Sequence, residues 1–268
     1  MYAFNYHRPS SLDEAAKLIA ANGEAKLMAG GQTLLPAMKL RLANPSDVID
    51  LGGLREKLAS ITEEGGKIAI GAMTRHGEIA ASDLLKAKIP ALAGMAGIVG
   101  DPAVRSRGTM GGSLANNDPA ADYPAAALAL GATIVTNKRE IAADDFFKGL
   151  FETALEDSEI VTKILFPVPE KAGYEKFRNP ASRYAMVGVF VAKRQGGDVR
   201  VTVTGAGASG VFRAKAFEAA LSRDFSEGAI AGVKASTDGL NSDIHADAAY
   251  RAHLIGVMAK RALASANG

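Results

Sequence analysis

Thr109-Met110-Gly111-Gly112-Ser113-Leu114-Ala115-Asn116-Asn117-Asp118-Pro119-Ala120-Ala121-Asp122-Tyr123-Pro124 is the stretch on which the reading of this chain turns. Two consecutive glycines stand between hydroxyl residues, and the segment then enters a helix through Asp-Tyr-Pro, with Pro124 in the first turn. A stretch of like chemistry lies upstream, Met28-Ala29-Gly30-Gly31-Gln32-Thr33-Leu34. A diphosphate needs several backbone N–H donors aimed at one spot with no side chain blocking the approach. Consecutive glycines after a strand supply such donors, and a following helix N-terminus adds a favourable dipole. Gln32, Thr33, Thr109 and Ser113 can donate further bonds. Taken singly, each stretch reads as well as a tight strand-to-helix turn, because glycine is the default residue there. Two of them with matching neighbours point to a diphosphate-bearing ligand held between both.

Outward from these turns, the pattern is one of short elements. A helix is expected from Ser10 or Ser11, with Asp13 and Glu14 in its first turn and Ala15, Leu18 and Ile19 as its apolar stripe, ending at Asn22-Gly23. Residues 25–29 read as a strand feeding the first turn, 34–42 as a helix stopped by Asn44-Pro45, and 48–51 as a strand. Strands are also expected at 67–70, 132–135 and 160–166, with helices at 84–99 and 123–130. The Pro167-Val168-Pro169 stretch is the expected domain boundary. Beyond it lie two long strands, 185–193 and 199–204, joined through Gly196-Gly197, then helices near 214–221, 225–233 and 246–264.

Composition narrows the function. The 268 residues carry 31 basic and 29 acidic side chains in an interspersed pattern, so no basic patch suggests nucleic acid. There is no cysteine, which excludes disulfides, thiolate nucleophiles and iron–sulfur clusters on this chain. A redox role would therefore rest on an organic cofactor. The start lacks the basic-then-apolar plan of a signal peptide, and the longest apolar runs are too short to span a bilayer, so a cytoplasmic protein is expected.

Other candidate groups weigh less. Gly205-Ala206-Gly207-Ala208-Ser209-Gly210 fits the dinucleotide pattern G-x-G-x-x-G, but no β-α-β unit follows and Asp224 comes too early for a ribose acid, so a structural turn is the better reading. His7, His76, His245 and His253 stand singly, without metal-ligand spacing, and the Asp243-His245-Asp247 cluster reads as a loop entering a helix. No residues suggest a catalytic set of side chains, and no metal site is expected. Asp118 and Asp122 suit helix capping, and either can also bond cofactor hydroxyls beside the glycine turn; both roles are expected of Asp122. Tyr184, at a strand start, is either a packing residue or a flat cover for an aromatic cofactor ring.

With these residues in place, the chain resembles the FAD-binding medium subunit of the xanthine dehydrogenase and aerobic carbon monoxide dehydrogenase family of molybdenum hydroxylases. The likeness is carried by residues 4–15, by Met28 to Pro36, by Gly71-Ala-Met-Thr-Arg75, by Val104 to Ala115 and by Asp118 to Pro124. In the second half it is carried by Tyr184-Ala-Met-Val and Arg213-Ala. The resemblance implies an α+β fold: a two-subdomain FAD-binding domain of the PCMH type over 1–168, divided near 55, and a carboxy-terminal domain over 169–268 with a small antiparallel sheet packed on helices. It further implies that Met28, Ala29, Gly30, Gly31, Gln32, Thr33 and Leu34, with Thr109, Gly111, Gly112 and Ser113, bind FAD around its pyrophosphate. Asp118 and Asp122 would serve the ribityl or ribose side, Tyr184 the isoalloxazine, and Arg178 the flavin's polar edge. Molybdopterin and two [2Fe-2S] clusters are implied on a large and a small partner subunit, in a dimer of heterotrimers. The flavin subunit would take electrons from the clusters and pass them to an external acceptor. The missing cysteines fit this and disfavour the benzoyl-CoA reductase branch, whose flavin subunit carries an extra cluster. A free-standing FAD oxidoreductase of the same architecture, and a scaffold that has lost its cofactor, remain the alternatives.

Overall fold

Three main sheets, besides a two-stranded ribbon of Phe147–Gly149 and Glu152–Thr153, make up the chain in a computed structural model that describes residues 1–268. The first is small and parallel. Asp47–Asp50 lies in its centre, between Asn5–His7 and Lys26–Met28. The helix Leu12–Ala21 makes the crossover, capped as expected by Ser11, whose hydroxyl accepts from the Glu14 N–H. Its core is Ala15, Ala25, Ile49, Leu51 and Leu54, completed by Met73 and Ile160 from the next unit.

The second sheet is antiparallel, in the order Ile61–Glu64, Lys67–Gly71, Val161–Pro167, Thr133–Thr136, Glu140–Ala142. Its helical cover is the largest core of the molecule. Every residue of the helix Tyr123–Leu130 is buried. An Ala/Leu sequence that is apolar all round belongs inside, not on a surface. Gly131, at a φ of 63°, ends this helix in the left-handed conformation that glycine adopts without cost.

Between Pro167 and Lys171 the chain passes to the third sheet, Lys171–Arg178, Ala185–Lys193, Val199–Thr204 and Phe212–Arg213, all antiparallel. Ala185–Lys193 is buried on both faces, which explains its unbroken apolar run. Val187, Val189 and Val191 face one way, onto Leu254, Ile255 and Met258 of the terminal helix Ala248–Asn267. Phe190 and Ala192 alternate to the other side and join the core around Tyr123–Leu130. No helix is long and apolar enough to cross a membrane.

Several expected elements differ in extent. The single helix expected over 84–99 is two, Asp83–Lys88 and Pro90–Gly97, because Pro90 cannot continue a helix but starts one well. Instead of a helix over 225–233 there is one 3-10 turn, Gly228–Ile230; Gly228 and Gly232 leave too little helix propensity there. The helix after the first glycine turn stops at Lys39, and Arg41 turns left-handed at a φ of 60°. The strand Lys171–Arg178 was not expected, since a buried lysine, Lys176, interrupts its apolar face.

Candidate functional site

The two glycine stretches meet in space. A Cβ built on Gly112 would lie 3.5 Å from that of Ala29, and one on Gly30 would collide with the backbone of Arg107 and Gly108. A side chain at Gly30 would push the turns apart, so glycine is required there by the approach, whereas a Cβ on Gly112 would crowd only the Thr109 hydroxyl of its own turn, at 2.9 Å.

Their hydrogen bonding differs. In the first turn the backbone N–H groups of Gly30, Gly31, Gln32, Thr33 and Leu34 donate to nothing within the chain. Gly31 sits at a φ of 72°, so the backbone reverses hand and gathers successive N–H groups into a concavity of the anion-binding kind. The Gln32 and Thr33 side chains are exposed and have no partners in the protein. In the second turn the donors are already used. Met110 N–H bonds to the Thr74 carbonyl at 3.1 Å and Gly111 N–H to the Ala72 carbonyl at 2.9 Å. Gly112 N–H bonds to the Thr109 hydroxyl at 3.2 Å. Gly111 has no room for a side chain, because a Cβ would sit 2.8 Å from the Ala72 carbonyl oxygen. Both turns were expected to offer free glycine N–H groups, and in the second these groups have partners within the chain. It presents Ser113 and the remaining proton of Thr109, and serves as a wall. The expected dipole contribution is also slight, since the helices concerned, Leu34–Lys39 and Met110–Asn116, have 6 and 7 residues.

Beneath the second turn lies His76, buried against Gly108 and tilted on Tyr123 with ring centroids 5.2 Å apart. Burial, with Arg105 nearby, lowers its pKa to about 4, so the ring is neutral. The His76 Nδ1 and the Tyr123 hydroxyl are both buried without a partner.

Asp118 accepts from the Ala120 N–H at 2.8 Å, tightening the turn after the left-handed Asn117. Asp122 departs from expectation. Its side chain makes no cap bond to the following helix, and its carboxylate is buried. One oxygen accepts from the Tyr174 hydroxyl and the other lies 2.9 Å from the fully buried Lys176 Nζ. Burial pushes this carboxyl up in pKa while Lys176 and Tyr174 pull it back. Both oxygens bond inside the protein, to the strand Lys171–Arg178, so the capping role is corrected. The Asp122 group instead rivets the segment after the second turn to the third sheet.

Tyr184 and Arg178 come to the same end of that sheet, on either side of the Asn179–Arg183 loop. The Tyr184 hydroxyl accepts from Asn179 Nδ2 at 2.8 Å, and Asn179 N–H bonds to the Tyr184 carbonyl at 2.9 Å. Ser182 and Arg183 hold left-handed φ values of 61° and 59° to close this loop. Arg178 is exposed. The neighbouring Gly205 N–H donates to the Pro119 carbonyl at 2.8 Å, and the Thr204 hydroxyl to the Ala121 carbonyl at 2.6 Å. The G-x-G-x-x-G at Gly205 is thus a strand-end turn locked onto the Asp118–Asp122 segment. The structure joins the first turn to the second, and the Asp118–Asp122 segment to the Tyr184 end. Asp243 pairs with Arg251 at 2.7 Å and Asp247 caps the terminal helix, so the acidic cluster around His245 is structural.

The sequence reading missed the walls of the cleft between the first two sheets. A cavity of about 300 Å³ is lined by Tyr6, Arg8, Asp50, Arg55, Arg75 and Arg107, with Ala29, Gly30 and Thr109 at its glycine side. Arg75 and Arg107 stand inside two of the quoted stretches. Their charge beside diphosphate-like turns was the available signal.

Comparison with known proteins bears on this geometry. Residues 2–169 match the family model described as FAD binding domain in molybdopterin dehydrogenase. The chain is 36% identical to the carbon monoxide dehydrogenase medium chain of Hydrogenophaga pseudoflava over 98% of its own length and 96% of that protein. It is 35% identical to the nicotine 6-hydroxylase medium subunit of Paenarthrobacter nicotinovorans, over 98% and 97%. Among solved structures, a chain of the reconstituted CO dehydrogenase from Oligotropha carboxidovorans superposes with a TM-score of 0.88 at 32% identity, covering 99% of this chain and 98% of that one.

Proposed function

The chain belongs to the FAD-binding medium subunits of the molybdenum hydroxylase family, and on that premise we propose how its residues serve the cofactor. It is an oxidoreductase subunit that binds FAD, while the molybdenum cofactor and the iron–sulfur clusters belong to partner chains. Bound FAD accepts electrons arriving from such clusters and releases them to an external acceptor; that chemistry is the cofactor's own, and the protein positions it.

The observation that carries the assignment is the first turn. Five successive N–H groups, from Gly30 to Leu34, are free of internal partners, in a turn that Gly30 lets pack against the backbone of Arg107 and Gly108. Met28 and Ala29 lead the chain into this cradle; Gln32 and Thr33 add side-chain donors at its rim. Thr109, Gly111, Gly112 and Ser113 form the opposite wall, where Gly111 keeps the turn seated and the two hydroxyls reach the ligand. The Asp118 turn continues the wall toward the third sheet, and Asp118 and Asp122, the latter fixed from behind by Tyr174 and Lys176, serve the ribityl or ribose side. Tyr184, oriented by Asn179, and Arg178 beside it meet the isoalloxazine and its polar edge.

The same reading divides the chain into a two-subdomain FAD domain of the PCMH type over about 1–168, split near residue 55, and a carboxy-terminal domain over 169–268. It makes the partners a large molybdopterin subunit and a small [2Fe-2S] subunit, in a cytoplasmic dimer of heterotrimers. Co-expression with those two chains and purification of the complex tests it. A yellow complex with stoichiometric FAD is expected, with a mass of two copies of each chain. A colourless complex refutes the reading. A free-standing FAD oxidoreductase has less support, because no proton donor beside the flavin position stands out.

A further inference from the structure

Exposed apolar side chains gather at the end of the first sheet that lies away from the glycine turn. The three strands are parallel, so Asn5–His7, Asp47–Asp50 and Lys26–Met28 begin at one end and finish at the other. Their carboxyl ends lead to Arg8, Gly52 and Ala29-Gly30, which line the cleft. At their amino ends lie Tyr2 and Phe4, before the first strand, and Leu40-Arg41-Leu42, before the central one. The Asn5 N–H bonds to the Ser46 carbonyl at 2.8 Å, and the Arg41 guanidinium carbon stands 5.5 Å from the Tyr2 ring centroid. The two approaches to the sheet therefore form one surface. Tyr2, Phe4, Leu40 and Leu42 are exposed on it, the two leucines at 71% and 79%.

These leucines are fixed in place. After the helix Leu34–Lys39, the Leu42 N–H bonds to the Ala37 carbonyl at 2.8 Å and the Arg41 N–H to the Met38 carbonyl at 3.1 Å. That is the Schellman closure of a helix end, whose left-handed position favours glycine. Here Arg41 holds it, at a φ of 60°. A long side chain kept at a strained position points to a use for that side chain.

The charge around them is one-sided. Residues 1–12 and 25–46 contain no carboxylate, whereas Lys26, Lys39 and Arg41 are exposed at this end and make no ion pair. Asp47 is spent on His7 at 2.6 Å and Asn22 at 2.8 Å, and Glu24 leads into the edge strand farther from Tyr2. An apolar surface ringed by unpaired cations does not close well on a second copy of itself, because like charges would meet across the two-fold axis. It fits a surface with an apolar centre and a carboxylate rim. Tyrosine and arginine are also the residue types that concentrate binding energy in interfaces, and a preset backbone lowers the ordering cost of using them. We propose that this end of the first sheet docks a partner subunit, which covers Leu40 and Leu42 with apolar surface and meets Lys39 and Arg41 with carboxylates. The assignment rests on the reading of the chain as one subunit of a molybdenum hydroxylase. It separates assembly from cofactor binding, since the first glycine turn lies at the other end of the strands.

The test titrates the full FAD-loaded chain, by calorimetry, against the large and small partner subunits purified together. Leu42→Ser and Arg41→Gly should each weaken association by about tenfold, the loss of one buried leucine or one charge-assisted contact. Added salt should weaken the wild type more than Arg41→Gly. Arg41→Gly also relieves the left-handed strain, so the melting temperature of the free chain should rise while its association weakens. A purely structural role for Arg41 would not split the two readings. A carbodiimide, which joins lysine to a carboxylate in contact, should couple Lys39 to an Asp or Glu of a partner chain. FAD content should match wild type in both variants. Association within about twofold of wild type in both would overturn the proposal, as would FAD loss in step with the weakened association. Vesicles of phosphatidylserine and phosphatidylcholine, and self-association of the free chain, probe the other occupants. Binding to either that Leu42→Ser abolishes, with partner binding intact, would also overturn it. A wild-type chain that holds FAD but does not bind the two subunits refutes the proposed assembly, whereas one that binds them indifferently to Arg41 and Leu42 refutes only this face.

Discussion

The two glycine turns look alike in sequence and do opposite work in the structure. Ala29–Leu34 keeps its donors free: an open backbone concavity, exposed Gln32 and Thr33, and a cavity at its side. Thr109–Ser113 spends its donors inward, on Ala72, Thr74 and its own Thr109 cap. On the proposed reading the first receives the ligand and the second stays put. A ligand site needs both, since donors aimed at an anion gain affinity only if the opposing wall does not yield when the ligand arrives.

Substitutions can break this comparison, beginning where the second region is anchored most deeply. Lys176→Met leaves the Asp122 carboxylate buried beside Tyr174 without its countercharge, which costs about 3–5 kcal/mol. A melting temperature lowered by ten degrees or more is expected, with much of it restored in the Asp122→Asn, Lys176→Met double variant. An unshifted melt would mean that the second region is not the rigid one.

Acid titration probes the same wall. Burial depresses the His76 pKa from 6.5 to about 4, so the unfolded chain takes up a proton in that interval which the folded chain refuses. The stability carried by neutral His76 is whole above pH 6.5 and falls as pH drops toward 4, by about 3 kcal/mol. Denaturant midpoints measured across that range should decline in wild type and flatten in His76→Gln; parallel declines would remove His76 as the cause.

Gly111→Val forces a side chain against Ala72, and overpacking of this kind costs about 1–3 kcal/mol. Stability and FAD content should fall together. Gly31→Ala sharpens the contrast, because the cost there is about 1–2 kcal/mol of left-handed strain at a φ of 72°, with only the flexible Leu35 side chain to shift aside. Its FAD affinity should drop by more than its melting temperature suggests; the reverse ranking would show that the first turn is structural too. Smallest is Thr109→Ala, which removes a helix cap for about 1 kcal/mol and should lower the melt by a few degrees.

Local signals made much of the fold legible. Ser11 as a cap, Gly131 as a terminator, Pro124 near a helix start and the valine-rich central strand each act through their own neighbours in the chain. Where other local rules applied they were simply missed, as at Pro90, whose helix-starting role divides the expected helix 84–99. Lys171–Arg178 escaped for another reason: Lys176 looks like a surface residue until its partner, 54 positions away, is known.

By itself the sequence determined the family, the positions of both glycine turns and the lack of any cysteine-based redox centre, because motif order and composition are properties of the chain alone. Only the tertiary structure decided which turn keeps its donors, where the Asp122 carboxylate is spent, and that Arg8, Arg55, Arg75 and Arg107 share one cleft. Whether a backbone N–H is free depends on acceptors brought from other elements. Glycine in a sequence says that the backbone can come close, not what it comes close to.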